Sequence, residues 1–260
     1  MPDISWLTAR PIAHRGFHDA RAGRIENSPS AVKAAIERGF PVEVDVQELA
    51  DGDALVFHDE TLDRLTFETG TVIGKRFDEL SNVPMRGTDD KLWRLDDLLE
   101  LVNGQVGICI EIKSLFRKDS QRDFVTRIAR RLQHYPGPAV VKTFDPDMLG
   151  VLRETAPDLP RGIVAEAARD LKHWGHATRI ERFVIRHILH APRTRPHFIS
   201  YNVHDLPAFG PSILKRWFGL PIIAWTVRTK EDRQRAALFA DQMVFEGFDP
   251  DADVSERAEG

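Results

Sequence analysis

The run from Pro41 to His58 holds side chains of this sequence that are well suited to chemistry. Its first half alternates Glu43, Asp45 and Gln47 with valines, which is the period-two pattern of a β-strand carrying the three polar side chains on one face. Carboxylates side by side on a buried strand repel each other and lose hydration, so they require a neutralising partner. A divalent cation is the simplest such partner, and this strand is therefore a candidate metal site.

A third carboxylate and two histidines stand near the ends of other apolar strands. Glu111 lies near the end of one such strand, and His14 and His58 each follow another. Oxygen ligands without a cysteine or histidine cluster suit a hard ion, Mg²⁺ or Ca²⁺, better than zinc. An imidazole has an ordinary pKa of about 6.5, which suits acid–base work at neutral pH. Arg15 and Lys113 add fixed positive charge of the kind that binds phosphate.

The formal charge of this set predicts a role for the ion in binding. The three carboxylates together with Arg15 and Lys113 sum to about −1 at pH 7, so the site would repel a phosphodiester of charge about −1. A dication reverses the sign, to about +1. The sequence therefore predicts that metal is needed for substrate binding as well as for chemistry.

Short apolar strands alternate with helical patterns along the rest of the chain, which is typical of βα units and a parallel sheet. Eight parallel strands are predicted once 54–58 is set aside as an excursion, so the fold class is α/β, a (β/α)8 TIM barrel. We expect one domain over 1–260, with a short insertion at 61–91 after the second strand, where the alternation lapses. Helices are predicted at 28–38, 95–102, 120–134, 145–155, about 171–190, 212–218 and 230–240.

Polar or aromatic residues mark the predicted strand ends. Active sites of such barrels lie at the carboxyl ends of the strands. Here those ends carry His14-Arg15, Glu43 and Asp45, Glu111 and Lys113, Lys142, Glu166, Asn202, Trp225 and Glu246.

Composition restricts the class of protein. The formal net charge of −4 and a sequence pI of about 6.2 argue against a general nucleic-acid binder. The single cysteine, Cys109, excludes an internal disulfide, lies in an apolar run as a core residue and fits a reducing compartment. The first ten residues hold no apolar run of signal-peptide length, and no stretch approaches a membrane span. We therefore expect a cytoplasmic protein with a small-molecule substrate and no stable membrane insertion.

Several spaced motifs together resemble the glycerophosphodiester phosphodiesterases, especially the smaller bacterial members. In chain order they are His14-Arg15-Gly16, Glu26-Asn27, Glu43-x-Asp45, Asp51-Gly52, the run from His58 to Thr66, Glu111-Ile112-Lys113 and Trp225-Thr226-Val227. The resemblance implies a barrel that binds Mg²⁺ or Ca²⁺ through the matching carboxylates. It also implies a general acid–base pair at the two matching histidines, with the arginine and lysine on the phosphate.

The resemblance also implies a class of substrate and a reaction. Family substrates are glycerophosphocholine, glycerophosphoethanolamine and relatives, hydrolysed to glycerol 3-phosphate and an alcohol. Which histidine is the acid stays open, and the nucleophile is either water or the glycerol 2-hydroxyl, with family resemblance favouring the second. Glu26 and Trp225 complete the predicted substrate-binding set, Trp225 because its ring would sit at the mouth of the barrel. At the last strand the sequence departs from the family pattern, and we expect Glu246 to take the acidic role there while Phe245 narrows the rim.

Other functions stay open on the sequence alone. A lysophospholipase D or a phosphoinositide-type phosphodiesterase would use the same site on lipid. A Schiff-base aldolase would use Lys113 or Lys142 as its nucleophile. A non-catalytic phosphate-binding barrel is the last alternative, and Trp217-Phe218 on an outer helix would suit a core position or the contact of a homo-oligomer.

Overall fold

The structure, a computed structural model, describes residues 2–117, 119–170, 174–175 and 177–252. Across these ranges nine strands form one sheet, and eight of them are parallel and close into a barrel because β1 pairs with both β2 and β9. The predicted (β/α)8 barrel is thus confirmed. The strands are β1 Ile12–His14, β2 Val42–Glu48, β3 Ala54–Val56, β4 Ile108–Ile112, β5 Ala139–Thr143, β6 Arg161–Ala165, β7 Phe198–Asn202, β8 Ile222–Val227 and β9 Gln242–Phe245.

The short strand β3 is the predicted excursion outside the barrel. It runs antiparallel to β2, with Val46 opposite Val56. The order around the barrel is β1, β2, β4, β5, β6, β7, β8 and β9, so each parallel strand lies beside the next one in the chain. Such connections need a crossover, and the helices supply it.

The helices agree with the predicted pattern to within a few residues. They are α1 Trp6–Ala9, α2 Pro29–Glu37, α3 Phe77–Leu80, α4 Leu95–Val102, α5 Arg122–Gln133, α6 Pro146–Thr155, α7 Arg179–His187, α8 Ala191–Thr194, α9 Phe209–Phe218 and α10 Lys230–Phe239, with short 3₁₀ turns at Ala20–Ala22, Val72–Gly74 and Val203–Asp205. The Ser28 side chain caps α2 by accepting from Ala31 N, as the sequence indicates.

The helix predicted at about 171–190 is shorter in the structure. Its first residues, 171–173, and residue 176 lie outside the described residues. The described part begins α7 at Arg179 behind a Thr178 cap and ends it at Ile188, whose φ of 54° is left-handed. A left-handed residue stops the helical hydrogen-bond pattern, which a search for periodicity does not detect.

Side chains inside the barrel form two layers. The lower layer is apolar and consists of Ile12, Cys109, Val140, Phe198, Ile223 and Val244, with Leu7 of α1 packed against it. Gly162 of β6 makes room for this layer, because a Cβ there would lie 2.3 Å from the Phe198 ring.

The upper layer begins two residues further along these strands and is mostly polar. It consists of His14, Glu111, Lys142, Ser200, Trp225 and Glu246, together with Glu43 and Asp45 of β2. A two-residue step keeps a side chain on the same face of its strand, so both layers belong to one interior surface. The intervening valines Val42, Val44 and Val46 face outward and pack with the helices.

Phe245 belongs to that outer packing. It is 1% exposed, and its ring centroid lies 5.2 Å from that of Phe40 and 6.1 Å from that of Phe17. The prediction that Phe245 narrows the rim is therefore wrong, because the residue before Glu246 in β9 must face the helices.

The segment 61–91 contains α3 and a 3₁₀ turn and builds a small apolar cluster of its own. Leu62, Val72, Leu80 and Met85 pack there with Phe57, which follows β3. This packing fixes the segment beside the strand that delivers His58. Within the described ranges, no helix combines the length and hydropathy needed to cross a bilayer.

Candidate active site

Three buried carboxylates converge in the upper layer. Asp45 of β2 lies beside Glu111 of β4 in the strand register, and Glu43 lies one step below. One oxygen of each carboxylate lies within 4.8 Å of the others. The predicted acidic cluster, Glu43, Asp45 and Glu111, is therefore assembled by two neighbouring strands.

Three cations neutralise this acidic cluster. Lys142 Nζ lies 2.9 Å from Glu43 Oε1 and 3.0 Å from Glu111 Oε2. Lys113 Nζ lies 3.0 Å from Glu111 Oε1, and Arg15 Nε lies 3.2 Å from Asp45 Oδ2 as an ion-pair contact without hydrogen-bond geometry.

The predicted site charge of about −1 was wrong because it omitted Lys142, a 2%-exposed residue on β5. Three carboxylates facing three cations make the acidic cluster neutral before any ion binds. A neutral cluster has no net negative charge with which to repel a phosphodiester, so the predicted repulsion in the absence of metal is not expected. The charge argument therefore leaves the ion a role in chemistry without requiring it for binding.

The ion pairs control the protonation of the acidic cluster. Burial raises the pKa of Glu111, but the ammonium groups of Lys113 and Lys142 outweigh it and lower that pKa to about 2. Asp45 is likewise held well below its usual pKa, since Lys113 and Arg15 overcome the effect of burial. Burial lowers the pKa of Lys142, yet Glu43 and Glu111 keep it above its ordinary value. Glu111, Asp45 and Lys142 are therefore charged at neutral pH.

The acidic cluster fits a hard divalent cation. Its donor set is oxygen only, with the three donor atoms within reach of a single ion. A carboxylate offers about four lone-pair sites, of which the ammonium and guanidinium contacts use only part. Glu43, Asp45 and Glu111 are therefore residues that could hold a divalent cation.

His14 enters from β1 and is fixed by a carboxylate from β9. Its Nδ1 is hydrogen-bonded to Glu246, and its Nε2 lies 3.9 Å from Glu43 Oε2. Glu246 also contacts Arg228 Nε at 2.5 Å and His18 Nε2 at 3.6 Å. The Glu246 pKa is lowered by these partners, which outweigh the effect of burial. Glu246 thus turns the Nε2 edge of His14 toward the acidic cluster.

His58 is fixed in a similar way, by its neighbour in sequence. Its Nδ1 lies 2.8 Å from Asp59 Oδ1, and Asp59 Oδ2 accepts from Arg64 Nε at 2.6 Å. Gln47 Nε2 donates to the carbonyls of His58 and Asp59, both at 2.9 Å. Gln47, the third polar residue on this face of β2, thus positions the backbone that carries the His58 imidazole. Because Asp59 bonds to Nδ1 of that imidazole, Nε2 is the nitrogen on the side away from the carboxylate.

The His14-Arg15-Gly16 turn brings a guanidinium to the acidic cluster. Arg15 has a φ of 54°, and its NH1 donates to Glu26 Oε1 at 2.6 Å. Gly16 has a φ of 81°, and a Cβ there would lie 2.8 Å from the Ala31 backbone of α2, so the turn requires glycine. Burial raises the pKa of Glu26, but hydrogen bonds from Arg64 and the charge of Arg15 lower it to about 2.

Asn27, quoted only as part of a motif, secures Asp45. Its Nδ2 donates to Asp45 Oδ2 at 3.0 Å, and its Oδ1 accepts from Asp45 N at 3.1 Å. Trp93 Nε1 in turn donates to the Asn27 carbonyl at 2.7 Å. This buried amide fixes the orientation of a carboxylate in the acidic cluster.

Most of the predicted site residues line one cavity of about 360 Å³ at the mouth of the barrel. They are His14, Arg15, Asp45, His58, Glu111, Lys113 and Trp225. Glu43 lies below them in the acidic cluster. Glu26 is set back from the cavity, with its carboxylate bonded to Arg15 and Arg64. A larger cavity, about 450 Å³, lies outside the barrel between α5, α6 and α7, and no predicted site residue lines it.

Sequence reasoning missed several supporting residues that the structure brings together. Lys142 and Glu246 were predicted at the strand ends of the active-site rim, and Asp59 and Arg64 were seen only as parts of a motif, but the pattern did not indicate which site residues they contact. The same cavity is also lined by Phe144, Glu166, Asp170, Asn202, His204, Thr226 and Arg228.

Comparisons with known proteins give a consistent picture. The sequence matches the glycerophosphoryl diester phosphodiesterase family over residues 14–245. It is 26% identical over 249 residues to glycerophosphodiester phosphodiesterase 1 of Homo sapiens, covering 85% of this chain and 72% of that protein. It is 26% identical over 234 residues to the glycerophosphodiester phosphodiesterase of Caldanaerobacter subterraneus subsp. tengcongensis, covering 86% and 88%.

A solved structure shares the fold. The chain resembles a phosphodiesterase of Oleispira antarctica, solved in complex with the product sn-glycerol-3-phosphate, with a TM-score of 0.73 and 17% identity. The match covers 91% of this chain and 92% of that chain.

Proposed function

This chain belongs to the glycerophosphoryl diester phosphodiesterase family, and from that premise we propose how it hydrolyses glycerophosphodiesters to sn-glycerol 3-phosphate and an alcohol. It is a phosphoric diester hydrolase, like the relatives it matches. The observation that carries the proposal is one cavity at the barrel mouth, which is lined by two carboxylate-fixed imidazoles together with Asp45 and Glu111 of the acidic cluster.

Glu43, Asp45 and Glu111 are the proposed metal ligands. Mg²⁺ or Ca²⁺ held there would supply a local positive charge that stabilises negative charge on phosphoryl oxygens. Asn27 and Lys142 orient the ligands, the first by hydrogen bonds to Asp45 and the second by ion pairs to Glu43 and Glu111. Arg15 and Lys113 line the cavity beside them and are the proposed phosphate contacts.

His14 and His58 are the proposed proton-transfer groups. Each has its Nδ1 tied to a carboxylate, Glu246 or Asp59, so that Nε2 is the nitrogen left to exchange a proton with the substrate. One imidazole takes the proton of the attacking hydroxyl or water while the other donates a proton to the leaving oxygen. Glu26 acts only through Arg15, as a positioning residue.

The alternative Schiff-base aldolase is disfavoured by the environment of its lysines. A nucleophilic lysine needs a depressed pKa. Burial lowers the pKa of Lys113, but the carboxylates of Glu111 and Asp45 raise it above its ordinary value, and Lys142 is raised in the same way. Both ammonium groups are committed to ion pairs.

A release assay tests the proposed function. Purified protein is incubated with a panel of glycerophosphodiesters and with lysolipid micelles, with and without chelator. Release of glycerol 3-phosphate is measured for the soluble diesters, and release of the head-group alcohol is measured for the lysolipids, whose other product is lysophosphatidic acid. We expect turnover on the soluble diesters, its loss in chelator and its recovery on adding Mg²⁺ or Ca²⁺. Turnover confined to micelles would favour the lysophospholipase D alternative. A lack of release from any substrate at saturating metal would favour the non-catalytic barrel.

A cytoplasmic location is part of the proposal. It rests on the single cysteine, Cys109, which allows no internal disulfide and so fits a reducing compartment. The negative formal charge supports a small-molecule substrate over a nucleic acid.

A further inference from the structure

A single guanidinium joins two sides of the proposed site. Arg64, in the segment 61–91, donates from Nε to Asp59 Oδ2 at 2.6 Å and from NH2 to Asp59 Oδ1 at 2.9 Å. It also donates from NH1 to Glu26 Oε2 at 2.8 Å and from NH2 to Glu26 Oε1 at 2.7 Å. Arg64 thus makes a two-point contact with each of two carboxylates, and all three nitrogens of its guanidinium are engaged.

Each of these carboxylates also holds a residue that the proposed chemistry uses. Asp59 Oδ1 lies 2.8 Å from His58 Nδ1. Glu26 Oε1 accepts from Arg15 NH1 at 2.6 Å. The contacts therefore run without a break from His58 to Arg15, with the Arg64 guanidinium in the middle.

Charge and shape both favour arginine at this middle position. The side chains of Glu26 and Asp59 are largely buried, so the two carboxylates need a cation between them. Burial raises the pKa of Asp59, but hydrogen bonds from Arg64 and His58 outweigh it and lower that pKa to about 2. A lysine would bring the same charge on one nitrogen, which cannot form two two-point contacts. The planar fork of arginine therefore sets how the two carboxylates lie relative to each other.

We propose that Arg64 is a positioning residue that holds the His58 imidazole and the Arg15 guanidinium at a fixed separation. The inference rests on the proposed function, in which Arg15 contacts the phosphate and His58 exchanges a proton with the same substrate. Arg64 acts on them through its two contacts, the Asp59 arm and the Glu26 arm. A misplacement of about 1 Å between reacting groups costs on the order of 10²-fold in rate, so this separation matters for turnover.

The test separates the two arms by measuring kcat and KM at saturating metal, on the soluble diester with the highest turnover in the release assay. Arg64→Gln should lower kcat on the order of tenfold through Asp59 and raise KM on the order of fivefold through Glu26. In an Asp59→Asn background, adding Arg64→Gln should change kcat by less than about twofold, because that arm is already broken. In a Glu26→Gln background, adding it should change KM by less than about twofold for the same reason.

Two further variants make the result specific. Arg64→Lys keeps the charge but not the fork, so it should recover less than about threefold of the loss in kcat. Arg122→Gln breaks a comparably exposed ion pair with Glu154, at 2.6 Å between α5 and α6, and should leave kcat and KM within about twofold of wild type. Urea unfolding of each variant verifies that it is folded. If Arg64→Gln does not fold, Arg64→Lys is taken through the same two backgrounds.

Three outcomes would overturn the proposal. The first is a kcat or a KM of Arg64→Gln within about twofold of wild type. The second is a loss that multiplies in full with that of either background, which would indicate a general loosening of the site. The third is full recovery by Arg64→Lys, which would show that charge alone suffices. Absence of wild-type turnover on every diester would instead refute the proposed function, and this inference with it.

Discussion

The two layers inside the barrel lie one pleat apart and have opposite chemistry. Cys109, Val140 and Ile223 of the lower layer are buried and apolar, while Glu111, Lys142 and Trp225 stand two residues further along the same strands. The step between them is about 7 Å of strand. The same backbone thus presents a hydrophobic core below and a charged site above.

The difference shows how one barrel separates stability from function. The lower layer needs only shape complementarity, since removing its apolar surface from water stabilises the fold. The upper layer buries charge, which is tolerable only where each carboxylate meets a cation or a hydrogen-bond donor. We therefore expect changes in the lower layer to reduce stability, and changes in the imidazoles of the upper layer to reduce turnover.

Removing either imidazole gives the largest expected effect on turnover. His14→Ala and His58→Ala should each lower kcat on the order of 10²–10⁴-fold, because a positioned acid or base contributes that much. The urea midpoint of unfolding should stay close to that of the wild type for His58→Ala, whereas His14→Ala also removes a partner of Glu246 from a buried position and should lower it. Metal content is measured alongside kcat, and near-normal turnover by a folded, metal-loaded His58→Ala variant would remove His58 from the mechanism.

Lys142→Met tests whether one residue of the upper layer also supports the fold. Loss of its ammonium leaves Glu43 and Glu111 buried without that partner, and breaking a buried pair costs about 3–5 kcal/mol. We expect a large fall in the free energy of unfolding in chelator, partly restored by Mg²⁺ or Ca²⁺.

A surface pair provides the control for Lys142. Lys215→Met breaks the exposed contact with Asp241, which lies at 2.9 Å, and should cost less than about 1 kcal/mol. If Lys142→Met lowers the free energy of unfolding by no more than this control does, then Lys142 is not needed to neutralise the acidic cluster.

Ile223→Ala examines the lower layer. The cavity it leaves should lower the free energy of unfolding by about 2–4 kcal/mol. Below the unfolding transition, kcat/KM should stay within about twofold of wild type, since the variant changes no charge in the upper layer. A tenfold loss of kcat in the folded variant would show that the layers are mechanically coupled.

Glu26→Gln should give the smallest effect and the one that depends on pH. The folded pKa of Glu26, about 2, lies below its ordinary value of 4.5. The unfolded state therefore binds more protons between these values, and the stability that Glu26 contributes is present above about pH 4.5 and is lost as pH falls toward 2.

At neutral pH, the Glu26 variant should be less stable by roughly 1–2 kcal/mol. The difference from wild type should shrink between pH 4.5 and 2, as measured by urea unfolding at each pH. A difference that stays constant with pH would contradict the assignment of the lowered pKa to Glu26.

Much of this site was predictable because strand alternation reveals faces. Val42, Val44 and Val46 indicated one face of β2 and placed Glu43 and Asp45 on the other, as the structure has them, with both faces buried. The resemblance then ordered the motifs along the chain. Phe245 was misjudged because its position beside Glu246 suggested the rim, whereas alternation in β9 directs it to the helices.

The sequence by itself determined which side chains share a face, where strands and helices alternate, and which residue types could bind an ion or transfer a proton. Only the tertiary structure decided which charges meet. Lys142 reaches Glu43 and Glu111 because strand register places β5 beside β4 in a closed barrel, and Glu246 reaches His14 because β9 closes on β1. The face on which a strand residue lies follows from its position in that strand and can be read locally. A buried charge, in contrast, is neutralised by residues that are distant in sequence and become neighbours only in the fold.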